Sequence, residues 1–295
     1  MFQFFANIFG YLLNFINNFV GNYGLAIILF TVLIKIIMLP LSIKQQRTMK
    51  KSTELNEKIK VLQFKYKNDP EKLNREMMDL YKKENMSPFS GCLSTIAQFI
   101  LLISIFYMVR CPLTYMEKIN NDQINTYVQQ LKDGGITVNQ AYSEIDIIRE
   151  LDYLKEKMPE DEGLNKINLN MNFCGLDLSK IPQQNLNDWT VYIIPALYII
   201  STFISMKITT SMQKKSKKND GVIDITEKEE KDNKEEEKNE MEDMMEQSNK
   251  MMSWMMPIMS VSISLVAPLG LALYWLVNNI LMIGERLVLN KIIKD

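Results

Sequence analysis

The chain has 295 residues, of which 47% are hydrophobic and 23% charged, and its formal net charge of −1 hides a division into apolar, basic and acidic blocks. It contains no histidine, which excludes Ser-His-Asp triads, histidine-based metalloprotease motifs and His-ligated metals. Cys92, Cys111 and Cys174 are too scattered for a zinc cage and no phosphate-loop or dinucleotide fingerprint is present, so neither a metal nor a nucleotide cofactor is expected.

In the first twenty residues Phe5, Ile8, Phe9, Leu12, Ile16 and Phe19 recur at three- and four-residue steps, with Gln3, Asn7, Gly10, Asn14 and Asn17 on the opposite side. The pattern predicts an amphipathic helix over 1–21 lying in the membrane interface. It lacks a basic n-region and a small-residue cleavage site, so it does not read as a removable signal peptide. Five stretches are then apolar enough to span a bilayer: 22–43, 88–109, 189–210, 250–267 and 268–288. Pro268 and Gly270 favour a tight hairpin between the last two over one long helix. The apolar core of each of these two covers about 25 Å against a hydrocarbon thickness of roughly 30 Å, so local thinning of the bilayer is expected.

Between the first two spans, 44–87 carries two helical stripes, Leu55, Ile59, Leu62, Tyr66 and Leu73, Met77, Leu80, Tyr81, broken at Asn68, Asp69 and Pro70. They predict a helical hairpin with charged outer faces. Its surface is basic, but seven carboxylates from Glu54 to Glu84 are interspersed, which argues against nucleic acid as a partner. Basic residues also follow the third span, from Lys207 to Lys218, and the fifth, at Arg286, Lys291 and Lys294. The long connection 110–188 differs, with 7 Lys+Arg against 13 Asp+Glu in residues 111–188. With five spans all three basic groups fall on one side, which the positive-inside rule makes the cytoplasm. The N-terminus is then outside and a short tail, 289–295, inside.

The connection 211–249 begins basic and turns acidic, with 13 Asp+Glu and four Lys in residues 220–246. It reads as a solvated tether, or as a mimic of an acidic tail that competes for the basic hairpin. A methionine stripe from Met241 to Met259 suits either plain packing or contact with varied apolar sequences. Cys111 and Cys174 both fall outside, where a disulfide is chemically permitted.

Lys35 lies inside the apolar run Leu25–Leu41. An ammonium group at a helix centre costs roughly 2.5 to 3.5 kcal/mol even on the lenient insertion scale, so such a charge is kept where it meets water, a partner or a substrate. Snorkelling is the ordinary alternative, but reaching Ser42, the first interfacial residue, requires a climb of roughly 10 Å, about twice the length of the stem. Polar residues repeat at helical spacing on the other spans as well: Thr31, Lys35 and Ser42; Ser87, Gly91, Ser94 and Gln98; Tyr198, Ser201, Ser205 and Thr209; Tyr274 and Asn278. Any one stripe is accounted for by bonds to its own backbone or to a neighbouring helix. Together with the lysine they suggest a single hydrated cavity open toward the cytoplasm, able to carry a short acidic or polar segment of another protein partway through the bilayer.

Several stretches resemble the YidC-type membrane protein insertases. They are Asn-Tyr-Gly-Leu-Ala-Ile-Ile-Leu-Phe-Thr (22–31), Lys35-x4-Pro40-Leu41, Lys-Tyr-Lys-Asn-Asp-Pro-Glu-Lys-Leu-Asn (65–74), Leu80-Tyr81-Lys82, Ser90-Gly91-Cys92-Leu93 and the segment from Pro268 to Trp275. The resemblance covers the five spans and the hairpin in order. It implies an all-α polytopic protein of the bacterial plasma membrane, five helices around a hydrophilic groove, that inserts small membrane proteins without ATP, alone or beside the Sec translocon. It places Lys35 where the family has its groove arginine, Thr31 one turn away and Tyr274 with Trp275 as the aromatic pair of the fifth span. It also implies recruitment of substrates by the hairpin and an outer-face position for the first helix. The expected groove is thus Lys35, Thr31, Ser94, Gln98, Ser201, Ser205, Tyr274, Trp275 and Asn278, with nascent membrane proteins, the Sec translocon and the ribosome as partners.

The sequence also departs from the family pattern. Lysine keeps the charge of arginine but loses its planar fork. Ser205 stands where related chains often have glutamine, and the connection 110–188 is longer than expected. The chain ends at Asp295 without a long basic tail to tether a ribosome. A transporter or channel using Lys35 as a counter-ion is the alternative reading, against which stand the odd number of spans and the lack of internal repeats. A hydrolase would need histidine or paired intramembrane carboxylates, so no covalent chemistry is expected.

Overall fold

The computed structural model describes residues 2–66, 69–84, 90–219 and 261–292. A helix α1 (Phe2–Val20) is followed by α2 (Tyr23–Lys65), whose first turn is capped by the Asn22 side chain accepting from the Leu25 N–H at 3.1 Å. At 43 residues α2 is about 65 Å long, more than twice the hydrocarbon thickness, and helical backbone continues through Pro40. The expected first span and the first arm of the hairpin are therefore one continuous helix. Asp69 caps α3 (Pro70–Lys83) by accepting from the Lys72 N–H, and Pro70 occupies the first turn, where a missing N–H costs nothing. Leu55 and Ile59 are buried, Lys58 pairs with Glu84, and Lys72 lies over the Tyr66 ring at 5.2 Å.

The bundle continues with α4 (Ser90–Arg110). After residues 111–192 come α10 (Ile193–Asn219), helical residues 261–266 and α11 (Leu269–Ile292). Among the described residues three stretches are long and apolar enough to cross a membrane: 23–48, 189–209 and 269–289. The molecule is an all-α polytopic membrane protein. Its tightest pairings are α10 on α11, α1 on α4 and α11 on α2, so α11 sits between α2 and α10. The acidic stretch 220–246, the methionine stripe 241–259 and Ser87 lie outside the described residues.

The faces of α1 are not used as its pattern predicts. Gly10 and Asn17, on the polar side, are buried with Ala6 and Leu13, while Phe4, Phe5, Ile8, Phe15 and Phe19 are exposed. The reason is close packing. A Cβ at Gly10 would sit 2.1 Å from the Tyr115 carbonyl oxygen, and the asparagines find backbone acceptors, Asn14 on Met116 and Asn17 on Asn168, each at 3.0 Å. Small and amide side chains allow that approach, and the aromatic side is left exposed.

Residues 111–192, expected as a long connection up to 188 and as the start of the third span from 189, form a folded unit. It contains short helices α5 (Pro112–Tyr115), α6 (Asn121–Asp133), α7 (Ser143–Arg149), α8 (Leu151–Lys157) and α9 (Glu162–Lys166), a two-stranded hairpin, Asn172–Phe173 with Leu176–Asp177, and two 3-10 turns. Tyr127, Leu131, Ile147, Leu154, Leu164 and Val191 are fully buried in its interior. This unit closes one end of the bundle by satisfying the first N–H groups of two helices that start there. The Tyr23 N–H donates to Asn170 at 3.0 Å, and the Leu269 and Gly270 N–H groups donate to Lys180 and Leu178, each at 2.9 Å. Gly24 lies against the Phe173 ring, with no room for a Cβ.

Cys111 and Cys174 are free thiols, not a disulfide. Cys111 is half-buried where α4 ends, and burial, reinforced by the neighbouring Glu144, pushes its thiol up to about 12. Cys174 is exposed at the tip of the β-hairpin in a left-handed conformation, φ 53°. The two sit in different packing environments, one tied to the α4–α5 corner and the other turned to solvent.

Burial raises the carboxyls of Glu117, Glu144 and Asp146 above their ordinary values, partly offset for Glu144 by hydrogen bonds from the Thr114 N–H at 2.9 Å and hydroxyl at 2.6 Å. A carboxyl raised on folding binds protons more tightly in the native state. Its ionisation therefore costs stability as pH rises from the ordinary value toward the raised one. Asp188 is opposite in sign: Lys180 and Thr190 hold it down to about 2, so its contribution is lost only in strong acid. The thermal midpoint of the detergent-solubilised chain is expected to fall as pH rises above the ordinary carboxyl value of about 4, and Glu144→Gln to flatten that fall; a midpoint rising with pH there contradicts this.

Candidate functional site

The described polar residues of the bundle converge on α11. Gly270 packs against Tyr23 and Ile27 of α2, and Tyr274, Asn278 and Glu285 follow at steps of four and seven residues, on the same side of the helix. Near the far end of that contact the Lys35 ammonium meets the Glu285 carboxylate at 3.3 Å. The pair lies about 18 Å along α2 from Tyr23 and about 22 Å along α11 from Gly270, in the half of the bundle away from the 111–192 unit. Side-chain exposures of 21% for Lys35 and 14% for Glu285 leave the pair open to water-sized contact.

The other side of α11 faces α10. Trp275 tilts against Tyr198 with ring centroids 6.2 Å apart. One turn on, the buried Asn279 amide donates to Ser201 Oγ at 2.9 Å and to Thr202 Oγ1 at 3.2 Å. Two turns further, Arg286 donates to Thr209 Oγ1. Residues 275, 279 and 286 thus knit α11 to α10 with aromatic, amide and guanidinium contacts in succession. In a bundle whose exterior is apolar, such interhelical hydrogen bonds replace the hydrophobic drive that operates in water.

Lys35 and Trp275 are half-buried, and Tyr274 is buried on α11. Thr31 is buried and donates to its own helix, to the Ile27 carbonyl at 2.6 Å. Ser201 and Ser205 are each only 7% exposed and lie on the polar side of α10, where Ser201 receives the Asn279 amide. Ser201 therefore belongs to a helix–helix seam and not to an open wall. Asn278 is half-buried, and its neighbour Asn279 makes the interhelical bonds. Ser94 and Gln98 lie on α4, but their side chains fall outside the described residues.

Sequence reasoning missed Glu285, Asn279, Thr202 and Arg286 as partners inside the bundle. Glu285 was detectable, because it stands two turns beyond Asn278 on the face that the Tyr274–Asn278 stripe defines. Its presence means that Lys35 is not the sole charge of this region: among the described residues Lys35, Glu285 and Arg286 together keep one excess positive charge.

The helical bundle, its apolar exterior and the charged and amide contacts within it define a multi-pass membrane protein with a polar interior. The chain belongs to the 60Kd inner membrane protein family, whose sequence model matches residues 15–295. Relatives named membrane protein insertase YidC are similar over shorter stretches. One from Caldanaerobacter subterraneus subsp. tengcongensis is 48% identical over 101 residues, 34% of this chain and 49% of that protein. Those of Francisella tularensis subsp. novicida and subsp. tularensis are 46% identical over 109 residues, 37% of this chain and 20% of each relative. The matched stretch spans about half the length of the first relative and a fifth of the others.

Proposed function

We propose that the chain inserts small membrane proteins into the bacterial plasma membrane without nucleotide hydrolysis, alone or with the Sec translocon. The polar segment to be translocated enters a groove reached from the α2–α3 hairpin. Lys35, Glu285 and Asn278 form its charged and polar floor, Thr31 lies one turn beyond Lys35, and Ser94 and Gln98 on α4 contribute a further side. Trp275 and Tyr274 shape its apolar margin, while Ser201 holds α10 against α11 and Ser205 follows one turn on along α10. In this reading the N-terminus and the connection 110–188 are outside and the hairpin and C-terminus inside, with five spans at the boundaries expected from sequence.

The observation that carries the reading is the asymmetry of the bundle. One end is closed by a folded unit hydrogen-bonded to the starts of α2 and α11, and the charged cluster lies in the opposite half. A polar segment rising from the hairpin side meets charges before it meets hydrocarbon, which shortens the apolar distance left to cross. Family membership and the names of the relatives point the same way.

A photo-reactive residue at position 278 tests this. A ribosome-released single-span substrate with a short acidic translocated tail is expected to crosslink there during insertion into inverted membranes. Crosslinking only at lipid-facing positions such as Phe203 contradicts the groove.

A further inference from the structure

Glu285 is the unassigned group that stands closest to the chemistry of this bundle. An intramembrane carboxylate is as costly as an intramembrane lysine unless something compensates it, and here each compensates the other at 3.3 Å. The pair is not sealed: both side chains retain exposure, Lys35 the more. An ammonium offers three donors, so a second carboxylate can engage Lys35 before the first leaves. Glu285 sits on the last helix, two turns past Asn278, so the groove face of α11 ends in a negative charge, not a positive one.

We infer that Glu285 is an internal counter-ion that tempers the groove's preference for acidic segments: a carboxylate of the translocating segment must compete with Glu285 for Lys35, whereas a segment without a carboxylate does not depend on that exchange. This rests on the insertase reading and specifies how its site discriminates. Exchange keeps Lys35 paired with one carboxylate while the displaced Glu285 carboxylate must be rehydrated, and that cost offsets the gain on Lys35, so an acidic segment is admitted without being held. A bare lysine in the same surroundings would bind acidic segments tightly and release them slowly. Glu285 therefore weakens capture in favour of passage.

The test compares two single-span substrates, identical except for Asp and Glu or Asn and Gln in the translocated tail, crosslinked to position 278 of the full chain in membranes. The readout is the ratio of crosslinking yield, acidic over amide tail, at limiting substrate. Glu285→Gln is expected to raise this ratio about fivefold or more, within the usual range for coupling between two groups. Glu285→Asp, which keeps the charge but shortens the reach, is expected to raise it less, by about twofold. If Glu285 only clasps α2 to α11, both yields fall together and the ratio stays at the wild-type value, which overturns the inference. If Glu285→Gln does not accumulate in the membrane, the aspartate variant decides: an unchanged ratio overturns it equally. Absence of crosslinks from either substrate to the wild-type chain instead overturns the insertase reading, and the inference falls with it.

Discussion

Lys35→Ala is expected to reduce insertion of an acidic-tailed single-span protein by about tenfold or more, and separately to destabilise the protein. The first effect follows from removing the cation that a translocating carboxylate meets. A close charge pair at an effective dielectric near 20 is worth a few kcal/mol, and each 1.4 kcal/mol is a factor of ten. The second effect follows from Glu285, whose side chain is 14% exposed and would be left without its ion pair. Breaking a fully buried pair costs about 3–5 kcal/mol, and partial hydration reduces that here to roughly 1–3. The two defects separate in the double variant Lys35→Gln with Glu285→Gln. Its thermal midpoint in detergent is expected to return toward wild type while insertion of the acidic substrate stays low. A double variant no more stable than Lys35→Ala would mean that the pair is not the source of the instability.

Gly10→Ala is expected to lower the thermal midpoint by several degrees, although alanine is the better helix former. The added Cβ would lie 2.1 Å from the Tyr115 carbonyl oxygen and 2.6 Å from its carbon, and these are backbone atoms that cannot rotate aside. The α1 helix must move off the α4–α5 corner, giving up the packing of Ala6 and Leu13 and the Asn14 bond to Met116. Overpacking of this kind costs about 1–3 kcal/mol, or roughly 2–4 °C per kcal/mol in a protein of this size class. Gly284→Ala on α11 is the matched control: nothing lies within 4 Å of its added Cβ, so relief of glycine's helical penalty should leave the midpoint level or slightly higher. Equal effects at the two glycines would contradict the close approach of α1.

Length and periodicity made the helices legible. The apolar runs, the Asn22 and Asp69 caps and Pro70 mark α2 and α3, and the stripe ending at Tyr66 lies where the hairpin arms meet. Less visible was what each face touches. On α1 the moment correctly separates two sides, but whether the small and amide residues meet water or a neighbouring backbone depends on Tyr115 and Asn168, more than a hundred residues away. Residues 110–188 read as a connection because their helices are short and the contacts that assemble them, such as Glu144 on Thr114, are made across thirty residues of chain. In the candidate site the apolar surroundings single out Lys35 at once. Its partner was hidden because the adjacent Arg286 reads as the first of the basic residues that follow the fifth span. On α11 the stripe singles out Asn278 but not its neighbour Asn279, which faces α10 and bonds Ser201, because only packing decides which asparagine bridges the two helices.

The position of the 111–192 unit explains why charge and closure lie at opposite ends. Helix N-termini present unpaired N–H groups, and carbonyls from Asn170, Lys180 and Leu178 occupy those of α2 and α11. Among the described residues no comparable cover lies over Lys35 and Glu285, whose exposure persists within a bundle otherwise buried around Phe30 and Ile27. A segment entering beside this pair would find a polar path to about the middle of the bilayer, and apolar surfaces beyond it.

Reconstitution of the purified chain in liposomes is the most direct test of insertion. A single-span substrate with a short acidic N-terminal tail is added without nucleotide, and protection of the tail from external protease is measured. Protection well above that in empty liposomes, reduced to near background by Lys35→Ala in folded protein, is the predicted result. Protection no greater than in empty liposomes would contradict the proposed function, and equal protection with Lys35→Ala would contradict the role given to the lysine.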